Sequence, residues 1–282
     1  MYDLIVSERN KCGFAPIQRH PQLDLAASNH ARWMLLTGII DHDERLGTPG
    51  FTGEIPGKRA EHAGYAYTNV AEILSYQTRF NSTELLNWEV VGIERMRHLL
   101  AAPYHMTAAF GGYPDIGISI LLSAANPLAD VNQNRTAVSL VVNLGAPSRL
   151  ERKVSVLSTD TIATYPCQGT TGTLTKLTNE EPNPVPGRDL GRYPVGQPVM
   201  VVAGQRKTLT LELATMKDAA GQNIALLSPL NKANDRLGML DVDIAFLMPD
   251  KPLLPNSKYT VHVKGTSGST PFDSTFSFTT GN

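Results

Sequence analysis

An α+β half followed by an all-β half is the fold class that this sequence predicts. Three observations carry it. Apolar residues recur at helical spacing from Pro21 to Thr37 and again up to Leu99, and β-rich runs follow at 116–122 and 137–144. After Leu144-Gly145-Ala146-Pro147-Ser148 the helical signal stops, and Thr, Val and Leu dominate between Gly, Pro and Asn clusters. At 282 residues the chain is longer than one small domain needs, so two domains are expected, 1–147 and 148–282.

The elements of the first half follow in order. Residues 2–11 read as a helix, stopped by Cys12-Gly13. Pro21 opens a second helix where a missing N–H costs little. Its apolar stripe is Leu23, Ala26, Ala27, His30, Ala31, Met34 and Leu35, and His30 on that stripe is expected to be a satisfied core histidine rather than a ligand. Residues 41–56 are polar and rich in Gly and Pro, a loop longer than most. Residues 58–64 read as a short helix, and Tyr65 and Tyr67 lead to Glu72 in a short apolar strand or turn. Asn81-Ser82-Thr83-Glu84 reads as the N-terminal cap of a helix that carries Trp88, Val91, Glu94, Arg95, Met96, His98 and Leu99. Residues 104–109 cross over to the sheet, and 126–135 is expected to be a hairpin loop.

In the second half, strands are expected at 154–157, 173–177, 199–202, 208–214, 245–248, 258–264 and 275–279. The Pro/Gly-rich stretch 180–198 is a loop or edge segment. That many short strands point to a β-sandwich.

Composition narrows the function. Lys and Arg number 25 and Asp and Glu 26, a net charge of −1, which gives no pull toward nucleic acid or an anionic membrane. No apolar run reaches the roughly 18 residues of a membrane span. Two cysteines, Cys12 and Cys167, exclude a zinc ribbon or a CxxC redox motif. They are either two buried free thiols, the expected state, or one disulfide joining the halves. The chain opens inside a helical pattern, so a signal segment is expected to be missing from it. Asn81-Ser82-Thr83 and Asn134-Arg135-Thr136 match the short N-glycosylation pattern, to which no role is assigned; Asn81 serves better as a helix cap.

Three segments offer imidazole or carboxylate: Asp41-His42-Asp43-Glu44, Glu72, and the pair Glu94 and His98, four apart on one helix face. His42, Glu72, Glu94 and His98 form the candidate ligand-binding set. With His42 and His98 as metal ligands, the mixture of imidazole and carboxylate would suit zinc. The competing and preferred reading is a polar network, His42 with Glu72 and Glu94 with His98 or Arg95. There is no G-x-S-x-G elbow and no H-E-x-x-H, so catalysis would rest on Glu72 or Glu94 as base beside His42.

The order of pieces over residues 1–145 resembles the bacterial CAP (SCP-like) domain. Ala26-Ala27-Ser28-Asn29-His30-Ala31-Arg32-Trp33-Met34 is similar to its "A-A-x-x-H-A-x-x-M" helix, Asp41-His42 to the "S-H" that follows, and Arg59-Ala60-Glu61-His62-Ala63-Gly64-Tyr65 to "R-x-x-x-A-G-Y". Val70-Ala71-Glu72-Ile73 stands where "x-G-E-N" is usual, Trp88 opens the "W-x-x-S-x-x-H-R" helix, and Asp115-Ile116-Gly117-Ile118-Ser119 resembles "x-I-G-V-G". The resemblance implies an α-β-α sandwich with a cleft of two His and two acids, His42 being the first His and Glu72 the first acid. Glu94 stands at the second His position, Val91 at the Ser position. Leu253–Val263 and Phe276–Thr280 resemble the ending of bacterial Ig-like or fibronectin-like modules, with Tyr259 as a corner tyrosine. Together these imply an exported bacterial protein, secreted, periplasmic or on the cell surface. It would bind an extracellular small molecule, cell-wall component or protein without catalysis. The alternative is a metal-assisted hydrolase of peptide or cell-wall material.

Overall fold

The computed structural model describes residues 1–80, 87–123, 135–148, 150, 157–204 and 207–282. The expected cap at 81–84, the loop at 126–134 and most of the strand at 154–157 lie outside the described residues. The fold is α+β, with five helices and several sheets among the described residues, none closed into a barrel. The chain divides into two compact units. One comprises Met1–Val6, Pro16–Leu99 and Gly111–Ser155; the other Ser7–Ala15, Leu100–Phe110 and Val156–Asn282.

The first unit takes in α1 (Tyr2–Lys11) up to Val6, β1 (Gln18–Arg19), α2 (Pro21–Thr37), α3 (Pro56–His62), β2 (Asn69–Phe80), α4 (Trp88–Leu99), β3 (Asp115–Ser123) and β4 (Arg135–Ala146). Its sheet runs β1-β3-β4-β2, antiparallel except for the β1–β3 pair. Pro21 and Gly38 bracket α2 as the sequence predicts: Gly38 takes φ 70°, where a side chain would be strained, and its N–H bonds to the Met34 carbonyl. The apolar stripe then packs on the sheet, with Ala27, Ala31, Trp33 and Met34 against Val141, Leu74 and Leu121. Glu72 sits inside a strand of 12 residues, longer than the short strand or turn expected.

One glycine lets the helix lie this close. A Cβ on Gly117 of β3 would overlap the backbone of Leu23 and Asp24 in α2, and the next residue, Ile118, donates its N–H to Asp24 Oδ1 at 2.8 Å. Backbone cannot swing aside as a side chain can. Gly117→Ala is expected to lower stability by about 3 kcal/mol, read as the midpoint shift in urea. An unchanged midpoint would show that α2 slides freely over β3.

The second unit holds α5 (Pro103–Ala109), a helix over the stretch 104–109 that the sequence reading gives only as a crossover. Its strands are β5 (Ile162–Tyr165), β6 (Thr171–Thr173), β7 (Lys176–Leu177), β8 (Val195–Gly196), β9 (Val199–Ala203), β10 (Leu209–Lys217), β11 (Leu230–Asn231), β12 (Ile244–Leu247), β13 (Lys258–Ser267) and β14 (Thr270–Thr280). Two four-stranded sheets run β10-β13-β14-β6 and β11-β12-β9-β5, beside a β7–β8 pair. Val199, Val201 and Leu247 from one sheet share an apolar core with Met216, Val261, Val263, Phe276 and Phe278 from the other. That core is the reason for the strict alternation along β13 and β14, since every second residue must leave water. The Tyr259 hydroxyl accepts the Leu254 N–H at 2.8 Å.

Cys12 and Cys167, both in the second unit, form a disulfide with their Cα atoms 5.4 Å apart. This corrects the expectation of two free thiols. Two cysteines 155 residues apart give no sequence signal of pairing; only the fold brings them within bonding reach. Arg9 packs the same segment down, with Nε donating to the Ala15 carbonyl and Nη1 to the Ala109 carbonyl at 2.7 Å.

Candidate functional site

The centre of the first unit is Glu72. The β2–β4 register sets Asn143 opposite it. Oriented to satisfy both neighbours, the Asn143 amide donates to Glu72 Oε2 (3.0 Å) and accepts from the Ala27 N–H (3.1 Å). Arg59 of α3 donates through Nη2 to both carboxylate oxygens, at 2.8 and 2.9 Å, and through Nη1 to the Glu54 carbonyl. His42 Nδ1 donates to Glu72 Oε1 at 3.0 Å, and His30 Nε2 lies 3.5 Å from the same oxygen. Every oxygen of this buried carboxylate is therefore occupied.

A second buried carboxylate, Glu44, shapes the loop around it. Its Oε1 meets His30 Nδ1 at 3.0 Å, and its Oε2 accepts the N–H groups of Thr52 and Gly53. His30 Nε2 reaches the Asp41 carbonyl at 3.0 Å. His30 is thus fully buried with both ring nitrogens engaged, and it stacks on Trp33, whose Nε1 donates to Thr48. The long polar stretch after α2 is therefore a pinned loop. With the adjoining Ile40 it presents Leu46 and Ile55 outward, Leu46 at 86% exposure.

Burial by itself would raise the Glu72 pKa. The hydrogen bond from His42 and the charges of His30, Arg59 and His42 outweigh that, so the carboxyl is held below the ordinary glutamate value. A base for work near neutral pH needs the opposite shift and a free lone pair. His42 is the member of the cluster that meets solvent, its side chain about half exposed at 47%.

The structure brings His42 and Glu72 together as expected. Glu94 pairs within α4, 2.7 Å from Arg95 and 4.0 Å from His98, the partners that the polar-network reading gives it. Burial, and then the charge of Arg95, push the His98 pKa down to about 4, so this imidazole is neutral at pH 7. Among the described residues no group of three or more His, Cys, Asp or Glu side chains is placed to hold a metal ion. Sequence reasoning missed Glu44, Arg59 and Asn143 as members of the cluster. Arg59 lies in a quoted motif and had that signal; Asn143, in the middle of an apolar strand, had only its polarity. Glu44 looked like one more residue of a polar run.

No family model matches the chain, and no curated protein matches it. Among solved structures, it is similar to an outer surface protein from Borrelia burgdorferi at 21% identity and a TM-score of 0.37, over 52% of this chain and 90% of that one. A TM-score of that size carries no argument about fold or role.

Proposed function

We propose that this chain is an exported, non-catalytic binding protein of bacterial type, a CAP-like α-β-α domain followed by an Ig-like sandwich. The observation that carries the non-catalytic reading is the saturation of Glu72: both oxygens are bonded, the side chain is wholly buried and its pKa is held low. The network acts as a brace for the 41–56 loop. Binding then falls to what that loop and its approach present, His42 with Ile40, Leu46 and Ile55. The ligand class is an extracellular small molecule, a cell-wall component or a protein. The Cys12–Cys167 disulfide supports export, since such bonds form and persist in oxidising compartments.

The alternative is a metal-assisted hydrolase. It draws on one feature: a carboxylate at Nδ1 of a half-exposed His42 is how many metal-binding imidazoles are oriented. Calorimetric titration of metal-stripped protein with Zn²⁺, wild type beside His42→Ala, separates the two. No saturable binding that depends on His42 is expected. One-site binding lost in the variant would sink the non-catalytic reading.

A further inference from the structure

Away from that cluster, the second unit buries a carboxyl in a different setting. Glu180 is 3% exposed. Its Oε1 accepts three hydrogen bonds from α5 and the α5 side chains: the Tyr104 N–H at 2.8 Å, the His105 N–H at 3.1 Å and His105 Nδ1 at 2.9 Å. Its Oε2 is equally buried and has no hydrogen-bond partner among the described residues. Glu72 has a guanidinium across both oxygens; Glu180 has one imidazole on one oxygen.

We infer that Glu180 is a proton-uptake site: a proton taken on Oε2 leaves all three bonds to Oε1 in place and removes the cost of a buried charge, so acid favours the folded chain. Burial favours the neutral form, against the three donors on Oε1. His105 and Tyr104 come from α5, and the Tyr104 hydroxyl donates to Asp235 Oδ1 at 2.9 Å, which puts a second carboxylate behind the ring. Tyr104 stays neutral, its pKa raised by burial and then by that bond to Asp235. An ionised Glu180 is therefore buried with one imidazole and two backbone N–H groups on Oε1 and, among the described residues, no donor on Oε2.

Burial holds the Glu180 pKa above the ordinary glutamate value, and the bonds from His105 and the two N–H groups offset this only in part. The folded chain takes up this proton at higher pH than the unfolded chain. The stabilisation is full below the unfolded value of about 4.3 and is lost as pH rises through the folded one. This is the reverse of Glu72, whose lowered pKa contributes stability that acid removes.

The test compares thermal melting of the full chain, wild type against Glu180→Gln, from about pH 8 to about pH 4.5. The amide cannot titrate, so the difference curve isolates Glu180. Wild type should gain on the variant by about 3 °C as pH falls, and in a His105→Gln background the midpoint of that gain should move to higher pH. A difference that stays flat, or runs the other way, overturns the proposal, as does a midpoint indifferent to His105. Should Glu180→Gln fail to fold, the ¹³C shift of the Glu180 carboxyl in wild type gives the same answer. A midpoint at or below the ordinary glutamate value would overturn it.

Discussion

Arg59→Met is expected to cost the protein about 3–5 kcal/mol of stability. Arg59 is fully buried and makes two bonds to Glu72, with its Nε 3.9 Å from Glu44. Methionine would fill much of the volume but leave two buried carboxylates with no guanidinium, only His30, His42 and the neutral donors Asn143, Thr52 and Gly53. The loss is that of an uncompensated buried charge, which is far larger than the worth of a surface ion pair. Urea unfolding followed by fluorescence of Trp33, which stacks on His30 inside the same network, reads it directly. The second variant Glu72→Gln, added to Arg59→Met, should recover part of the loss by removing the stranded charge. A cost below about 1 kcal/mol, or no recovery, would mean that the network is not held by charge.

Replacing both Cys12 and Cys167 by alanine should lower stability by about 4–5 kcal/mol. The bond closes a loop with a sequence separation of 155, and the entropy that it removes from the unfolded chain grows with the logarithm of loop length. Thermal melting of the double variant beside the wild type, each with and without a reductant, should show a deficit of about 10 °C for the variant. The reductant should bring the wild type toward the variant and leave the variant unmoved. Equal melting of variant and untreated wild type would show that the loop is already constrained without the bond. Arg9, with its bonds to Ala15 and Ala109, is the residue that would then be holding it.

Both predictions concern residues whose part in the fold the sequence did not disclose. Cys12 and Cys167 carry no mark of pairing. Arg59 stands in a recognisable motif, yet nothing in that motif says that its guanidinium is buried. Glu44 is the sharpest case. In the run Asp41-His42-Asp43-Glu44 all four residues are polar, but three are exposed and Glu44 is 2% exposed. A loop has no period of two or of 3.6, so no pattern tells an inward residue from an outward one. Glu94 and His98 show the converse: helical spacing paired them correctly, but pairing on one helix says nothing about what the helix faces.

What the sequence determined by itself is the mixed class and the position of the most strongly patterned elements, while α5 and the length of β2 escaped it. Pro21, Gly38 and an apolar stripe are enough for α2, and strict alternation is enough for β13 and β14, because those signals are local and repeat many times within one element. The tertiary structure alone decided the chemistry. Glu72 is saturated by donors 13, 30 and 71 positions away, through an α3 guanidinium, a loop imidazole and the strand register that sets the Asn143 amide opposite it. A carboxylate is a base, a ligand or a brace according to how many donors reach it, and donors brought from distant segments leave no trace in the spacing of residues along the chain.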